Sequence, residues 1–266
     1  MRWPGFQLNG FPFPSTARYV LFALAALAAP GPAGMIAREV PAPYDALGQV
    51  ETLDQLIETY GGRYRLWPTD LFENERLYNP HGNSTMLSDV RVIYKTPNDD
   101  AFRREEQVIK KRLRAPDGNT NPGPLEFERS LFVHTSFEVP GRQSYRLEAG
   151  EAVVVRGQLF RASLWIHSNM YRHTLSLLFR NADGKEIRVP LGPLLWHGWR
   201  RVEVQLPPEL YRRGRDLQRR YRHEFLGFLL QSHPKAEPGD VALLFDNLLI
   251  VSDMQELAYP GAELNF

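Results

Sequence analysis

Cysteine is missing from all 266 residues of the chain. The fold therefore has no disulfide framework, and neither thiol catalysis nor a cysteine-ligated metal site is available to it. A lipid anchor on a cysteine at the start of a mature chain is excluded for the same reason. Stability has to come from a packed core, which a chain of this length with 43% hydrophobic residues can build.

Strong net charge is also missing. The formal charge is +1, so the chain lacks the overall basic character with which proteins usually bind nucleic acids. The apolar run from Tyr19 to Ala29 is too short to cross a bilayer, which takes roughly 20 apolar residues. We therefore expect neither a nucleic-acid partner nor a membrane span in the mature chain.

Familiar catalytic and metal-binding motifs are absent from the sequence. It contains no phosphate loop and no G-x-S-x-G elbow, and no carboxylate pair stands out as a glycosidase pair. The seven histidines form no HxH or HExxH pair, and His167 and His173, six positions apart, come nearest to a zinc-binding arm. The sequence predicts a protein without catalytic residues, cofactor or resident metal.

The N-terminus has the order of a secretory signal peptide. Arg2 and Arg18 precede the apolar run, and the small, helix-breaking segment Pro30 to Gly34 follows it. This order predicts a signal peptide over residues 1–33, with cleavage after Ala33, and export of the mature chain.

Residues 34–127 have a mixed pattern. Leu53, Leu56, Ile57 and Tyr60 share one helical face, which predicts a short helix, and residues 102–113 form a second, highly charged helix candidate with a thin apolar stripe. The stretches LWPTDLFENERLYNPHGN and RAPDGNTNPGP are rich in turn-forming residues and predict loops. We expect this segment to pack on a sandwich domain or to extend it.

From Glu128 to the C-terminus, short strands recur between turn signals, which predicts a core β-sandwich over residues 128–266. The clearest unit is a hairpin in which Asp183-Gly184 forms the turn between two alternating strands, Leu175/Leu177/Phe179 and Ile187/Val189/Leu191. The predicted class is mostly β: an antiparallel, jelly-roll-like β-sandwich with short N-terminal helices and long loops.

Three stretches carry a family resemblance: GQLFRASLWIHSNMY, LSLLFRNADGKEIRVPLGPLLWHGWRRVEVQLP and DVALLFDNLLIVSD with the tail Tyr259-Pro260-Gly261. In this order they resemble the flagellar filament outer-layer (sheath) protein family of spirochaetes, and fit best the second sheath protein of a species that has two. The resemblance implies a non-catalytic periplasmic subunit that coats the filament core. Its implied partners are flagellin core subunits, other sheath proteins and further copies of itself.

Glycine-tryptophan corners and Phe-Asp-Asn strands also occur in sugar-binding jelly rolls, so the predicted fold is similar to that of carbohydrate-binding modules. Two other functions therefore stay open: a periplasmic glycan-binding module, whose exposed aromatic rings would stack on sugars, and a secreted glycan-active enzyme. Trp165 and Trp199 are the aromatic candidates for contact with a partner or a sugar.

Asp246 lies in a strand that is apolar on both faces, where a carboxylate is costly unless it is hydrogen-bonded or paired. The structural interpretation is an anchor that ties neighbouring groups together. The functional interpretation, a weak one, is a calcium ligand, which requires further oxygen ligands from several loops.

The segment YRRGRDLQRRYRH holds the strongest local charge of the chain. Its candidate partner-binding residues are Tyr211, Arg212, Arg213, Arg215, Arg219, Arg220 and Arg222. A solvated basic loop is one interpretation, since runs of like charge usually face water. The alternative is an assembly surface, because arginine and tyrosine are enriched at protein interfaces.

The corner Trp196-His197-Gly198-Trp199 precedes a strand with strict alternation. Since Val202, Val204 and Leu206 point inward, Trp199 should point outward with Arg201, unless a bulge at Gly198 reverses the phase. We therefore predict Trp196 and Gly198 as structural anchors and Trp199 as a contact for a neighbouring subunit.

Overall fold

Two antiparallel sheets form the fold in the computed structural model, which describes residues 64–73, 78–82, 86–113, 127–212, 214 and 221–254. The strands are β1 (Tyr64–Asp70), β2 (Tyr78–His81), β3 (Ser88–Ile93), β4 (Ser130–Phe137), β5 (Ser144–Arg156), β6 (Gln158–Asn169), β7 (Thr174–Arg180), β8 (Glu186–Pro193), β9 (His197–Gln205), β10 (Arg222–Gln231) and β11 (Gly239–Asp253). The helices are α1 (Asp100–Leu113) and the single turn α2 (Pro208–Tyr211).

Sheet A has the order β3-β4-β11-β6-β9, with β1 also paired to β11, and sheet B has the order β2-β5-β10-β7-β8. All the strand pairs are antiparallel. The predicted class, a mostly β antiparallel sandwich, is confirmed.

The core lies between the two sheets. Alternate residues of each strand point into it, and the stacked rings of Phe228 from sheet B and Phe245 from sheet A, 4.8 Å apart between centroids, join the two layers. Val202, Val204 and Leu206 pack on this core as predicted. The predicted hairpin is also confirmed, because β7 and β8 pair Phe179 with Ile187 and Leu177 with Val189, and Gly184 adopts a φ of +82° in the turn.

Residues 152–168, which look like one continuous strand in the sequence, are divided between the two sheets. The chain passes from β5 in sheet B to β6 in sheet A at Gly157, whose φ is +99°. A Cβ atom at this position would lie 2.8 Å from the Ser252 hydroxyl. Glycine is required here because both the left-handed backbone and the close approach exclude a side chain.

The N-terminal segment contributes more strand than its sequence predicts. The stretch expected to be loop contains β1 and β2, and β3 follows; these strands pair with β11, β5 and β4 respectively. Pro68 and Pro80 suggested turns, but each lies in a strand that the structure pairs on one side only. A proline is tolerated there because its missing N–H removes no ladder bond.

The predicted helix over residues 102–113 is confirmed as α1. The signal peptide over residues 1–33 and the short helix that includes Leu53 and Tyr60 lie outside the described residues. In the part of the chain that the structure describes, no helix is long and apolar enough to cross a membrane.

Candidate assembly surfaces

Helix α1 covers one half of the outer face of sheet A, the face turned away from the core. Among residues 100–110, the part of the helix whose side chains are described, the buried ones are Phe102, Glu105 and Ile109, at the i, i+3 and i+7 positions of one helical face. The sequence pattern had suggested a thin stripe built on Val108, Ile109 and Leu113. Phe102 and Glu105 widen that stripe enough to fix the helix on the sheet.

Trp165 lies under this helix and is only 3% exposed. Its indole ring meets the edge of Phe102 at 5.5 Å between centroids, and its Nε1 donates a hydrogen bond of 3.2 Å to Glu105. The prediction that Trp165 contacts a partner or a sugar is therefore wrong for this fold, because α1 occupies the surface that a ligand would need.

Glu105 holds sheet A through two strands at once. One carboxylate oxygen accepts the Trp165 hydrogen bond from β6, and the other lies 3.0 Å from Arg201 Nε of β9. Trp165 and Arg201 face each other across the β6–β9 pair, so Glu105 sits above a single position of the ladder. Glu105 and Arg201 are both largely withdrawn from water, so the charge of Glu105 has to be balanced by Arg201, which also lies 3.4 Å from Glu203.

Asp246 occupies the next position of the same row, opposite Trp165 on β11, and is fully buried. At this point β11 changes neighbours, pairing with β4 up to Phe245 and with β1 from Leu248. Asp246 therefore lies at the gap between β4 and β1 along one side of β11, where the strand ladder is interrupted.

Burial disfavours the charged form of the Asp246 carboxyl group. Burial raises its pKa well above the ordinary value, and the Glu73 carboxylate adds to that rise. Ser130 Oγ lies 2.9 Å from Asp246 Oδ2 and also contacts the Lys95 carbonyl. A hydroxyl has one proton to donate, so both contacts are satisfied when Ser130 donates to Lys95 and a protonated Asp246 donates to Ser130.

This arrangement supports the structural interpretation of Asp246. Its carboxyl group shares the Ser130 hydroxyl with the Lys95 carbonyl, which is the kind of contact that an anchor makes. The described residues contain no group of three or more histidine, aspartate or glutamate side chains placed to hold a metal ion. Through Ser130, Asp246 in the middle of β11 ties together the start of β4 and the segment at Lys95, as an anchor does.

Replacing Asp246 by asparagine tests the neutral state. Because the folded-state pKa is raised above the unfolded value of 3.8, the native protein loses stability as pH rises above about 4, while an asparagine does not titrate. We expect the unfolding free energy of Asp246→Asn, relative to the unsubstituted protein, to increase between pH 4 and pH 8 in urea titrations. Gln107→Asn, at an exposed position without a titratable group, is the control and should show no such trend. A gain in melting temperature of the unsubstituted protein with about 1 mM calcium, lost in Asp246→Asn, would instead support the calcium interpretation.

Gly198 and Trp196 form the corner that leads into β9. Gly198 has a φ of +79°, which a residue with a side chain rarely adopts. Trp196 packs on the core, its Nε1 donates to the carbonyl of Ile166 at 3.3 Å, and its own carbonyl accepts the N–H of Met170 at 2.8 Å. These contacts fit the anchor role predicted for both residues.

Trp199 points away from the core. The β6–β9 ladder runs without a register shift, pairing Gly198 with Ser168 and Trp199 with His167, so no bulge reverses the alternation. The ring of Trp199 meets that of His167 edge-on at 5.4 Å between centroids and is partly exposed. The predicted outward orientation is confirmed, and its role in assembly stays a prediction.

His167 and Trp199 belong to a row that crosses sheet A beside α1. The register aligns one residue from each of five strands: Arg91, Phe132, Leu244, His167 and Trp199. The Arg91 guanidinium lies 5.3 Å above the Phe132 ring. Because Phe132, His167 and Trp199 are partly exposed, this half of the outer face offers an aromatic surface that α1 does not cover. We call it the aromatic row.

Alanine substitutions separate the two corner tryptophans. Trp196→Ala should lower the unfolding free energy by about 2 kcal/mol, less than for a fully buried tryptophan, because Trp196 is partly exposed. Trp199→Ala should cost less than about 1 kcal/mol and should reduce incorporation into filaments. Urea unfolding and filament sedimentation measure the two effects, and exchanged outcomes would show that the roles are reversed.

The basic segment is described only in part. Tyr211 ends α2 and packs beside a small apolar cluster that contains Tyr64 and Phe160, and Arg212 is exposed. Arg222 begins β10 and lies 3.7 Å from Glu224. Arg213, Arg215, Arg219 and Arg220 lie outside the described residues, so the assembly role of this segment stays a prediction.

The outer face of sheet B is covered by ion pairs. Arg146 on β5 makes two hydrogen bonds of 2.9 Å to Glu186 on β8, although β10 and β7 lie between them. The register puts Arg146 level with Pro190, four residues along β8 from Glu186. Three strand spacings and four residues separate the two backbones by about 20 Å, so these side chains meet only if this face curves inward. Leu178, Leu226 and Leu229 form a separate buried cluster on the face that the pair crosses.

Comparison of the chain with models of known protein families finds a match to one family. The model of the family described as "Flagellar filament outer layer protein" matches residues 128–259. This match confirms the resemblance drawn from the three sequence stretches. No curated protein matches the chain.

Solved structures with a similar fold include carbohydrate-binding modules. The family 11 module of a Clostridium thermocellum cellulase is 10% identical, with 70% of this chain and 94% of the module covered and a TM-score of 0.39. The module TmCBM61, solved with β-1,4-galactotriose, is 14% identical over 66% of this chain and 88% of the module, with a TM-score of 0.33.

The enzymatically active domain of tailspike protein 4 from bacteriophage CBA120 is 15% identical over 70% of this chain, with a TM-score of 0.37. This chain covers only 20% of that protein. At these identities the likenesses concern the fold alone.

Sequence reasoning missed two of the contacts that shape these surfaces. Glu105 follows Phe102 and precedes Ile109 at helical spacing, so a wider helical face would have predicted its burial. The Arg146–Glu186 pair has no signal in the sequence, since only the strand order brings the two residues together.

Proposed function

We propose that this chain, whose residues 128–259 match the model of the flagellar filament outer layer protein family, is a non-catalytic structural subunit of the sheath around a periplasmic flagellar filament. The observation that carries the proposal is this family match. The signal-like N-terminus adds export to the periplasm. The partners we propose are flagellin core subunits, other sheath proteins and further copies of the chain.

The surfaces of the sandwich suit a structural role. A subunit of a filament layer needs unlike patches that repeat along the filament. The aromatic row on sheet A offers one such patch, because tryptophan, phenylalanine and arginine are enriched at the centres of protein interfaces. Glu105 and α1 fix the neighbouring half of the face, so the row lies on a rigid support.

The outer face of sheet B favours the structural role over glycan binding. A sugar platform needs exposed aromatic rings, and the outward positions of β5, β7, β8 and β10 carry none among the described residues, as shown by their register with Arg146, Leu178, Glu186 and Glu224. The ion pair between Arg146 and Glu186 also covers the curved part of this face.

Purification of native filaments tests the proposal. Periplasmic filaments isolated after detergent extraction should contain this chain as a stoichiometric component, and cells lacking the chain should give filaments with a thinner or altered outer layer. The absence of the chain from washed filaments would overturn the proposal. Binding of the isolated protein to a glycan array, lost in Trp199→Ala, would point to the glycan-binding function instead.

A further inference from the structure

Exposed apolar side chains collect at one end of the sandwich. Five large hydrophobic residues are exposed in the described part of the chain, and all five adjoin strand ends of sheet A. Tyr94 follows β3 at one end of the sheet, whereas the other four lie at the opposite end: Leu87 (53% exposed), Val139 (49%), Met170 (48%) and Leu195 (47%). Single exposed apolar residues are ordinary on protein surfaces, whereas a group of them indicates a contact site.

The strand register places all four at the same end. Leu87 precedes β3 and Val139 follows β4, and the N–H of Leu87 donates to Ser136 of β4 at 3.1 Å. Met170 follows β6 and Leu195 precedes β9, where the N–H of Met170 bonds to the carbonyl of Trp196.

The two pairs are joined across β11, which lies between β4 and β6. The N–H of Ala242, near the start of β11, donates to the hydroxyl of Tyr171 at 3.2 Å, so this partly exposed ring reaches over the intervening strand. Five strands at about 4.8 Å give a row about 19 Å wide. We call these four residues and Tyr171 the apolar end.

Met170 is held at this end in a strained conformation. Its φ is +60°, a value that costs a residue with a side chain about 1 kcal/mol or more. The hydrogen bond to Trp196 keeps it there, and the result is an apolar side chain that projects into solvent. Backbone strain that persists at a surface marks a site whose conformation matters to function.

Tyr211, Arg212 and Arg222, the described residues that flank the rest of the basic segment, lie at the opposite end, which we call the far end. β10 begins with Arg222 at the far end. It finishes with Gln231, which pairs with Thr174 at the apolar end. Tyr211 and Arg212 follow β9, which starts at the apolar end and finishes at the far one. The two ends of the sandwich thus carry unlike groups. The apolar end has exposed carboxylates beside Val139, on Glu138, Glu237 and Asp240, which can face the arginines of the far end of another copy.

We propose that the apolar end of one copy docks on the far end of a second copy, the end that carries Tyr211, Arg212 and Arg222, so that the chains form a head-to-tail row. This contact rests on the proposed function and specifies its geometry. Contacts between unlike ends of identical subunits propagate as open rows, as a filament layer requires. Apolar side chains form the centre of the interface, and the carboxylates and guanidiniums form its polar rim.

Engineered cysteines test the contact directly, because the chain contains none of its own. Cells expressing both Leu195→Cys and Arg212→Cys chains should give filaments in which a bis-maleimide reagent produces a cross-linked dimer joining the two variants. The control replaces Arg212→Cys with Gln107→Cys, on the exposed side of α1, and should produce no dimer. Leu195→Asp should also be lost from filaments, whereas Gln107→Asp should be retained.

The outcomes separate this inference from the proposed function. A chain that is absent from filaments altogether overturns the proposed function. A chain that is present but gives no Leu195–Arg212 cross-link overturns the head-to-tail contact alone. Cross-links between two Leu195→Cys chains would show that like ends meet, and would overturn it as well. Circular dichroism of each purified variant confirms that it is folded.

Discussion

Lowering the pH from 7 to 4 is expected to destabilise the folded chain by about 3 kcal/mol through His223 alone. This imidazole lies in the interior at the start of β10, fully withdrawn from water, and neither ring nitrogen has a hydrogen-bond partner. Burial lowers its pKa from 6.5 to about 4, while the charge of Asp183 opposes that change. Between pH 6.5 and pH 4, His223 therefore binds a proton in the unfolded chain but not in the folded chain. The free energy of unfolding falls as the pH drops below 6.5.

The measurement compares the unsubstituted protein with His223→Leu in urea titrations at several pH values between 4 and 7. Other groups titrate equally in both proteins, so the difference in slope isolates His223. Gln107→Ala, at an exposed position without a titratable group, is the control and should leave the slope unchanged. Parallel pH profiles for the unsubstituted protein and His223→Leu would contradict the buried, neutral state. An NMR titration of His223 measures its pKa independently.

Removing the carboxylate of Glu105 is expected to cost about 3 kcal/mol, the lower end of the usual penalty for breaking a buried ion pair, because Glu203 still lies 3.4 Å from Arg201. Glu105→Ala leaves the guanidinium of Arg201 without the carboxylate 3.0 Å away and leaves the Trp165 indole without its acceptor. The melting temperature should fall by about 10 °C on the scale of a domain this size. Helix α1 should also detach, since Glu105 is its polar link to two strands of sheet A.

Gln107→Ala, on the exposed side of the same helix, is the control and should change stability by less than about 0.5 kcal/mol. The double variant Glu105→Ala/Arg201→Met should be less destabilised than the sum of the single variants, because it leaves no unpaired charge. Hydrogen exchange should speed up across residues 100–113 in Glu105→Ala. Additive energies and an unchanged α1 would show that the ion pair does not hold the helix.

Much of the sandwich could be predicted from local patterns. The β7–β8 hairpin and the inward side of β9 follow from alternation and from one Asp-Gly turn, which depend on neighbours in the sequence. β1 and β2 could not be predicted in this way, because their prolines and polar residues suggest turns. Their strand form comes from pairing with β11 and β5, which are far away along the chain.

The surface residues also differ in whether neighbours in the sequence are sufficient to predict their position. The outward direction of Trp199 follows from counting along β9, so the sequence was sufficient to predict it. The burial of Trp165 was not predictable from its own strand, because the cover comes from α1, some 60 positions earlier. Likewise, the apolar end joins residues from four connections, which only the strand register brings together.

A cryo-EM map of the native filament tests the central claim most directly, namely that this chain is a subunit of the outer layer. We predict that the outer layer contains repeating density into which the two-sheet sandwich fits, with α1 resolved on the outer face of sheet A and Trp199 within a contact to a neighbouring subunit. An outer layer whose density fits other proteins throughout, with no position for this sandwich, would contradict the claim.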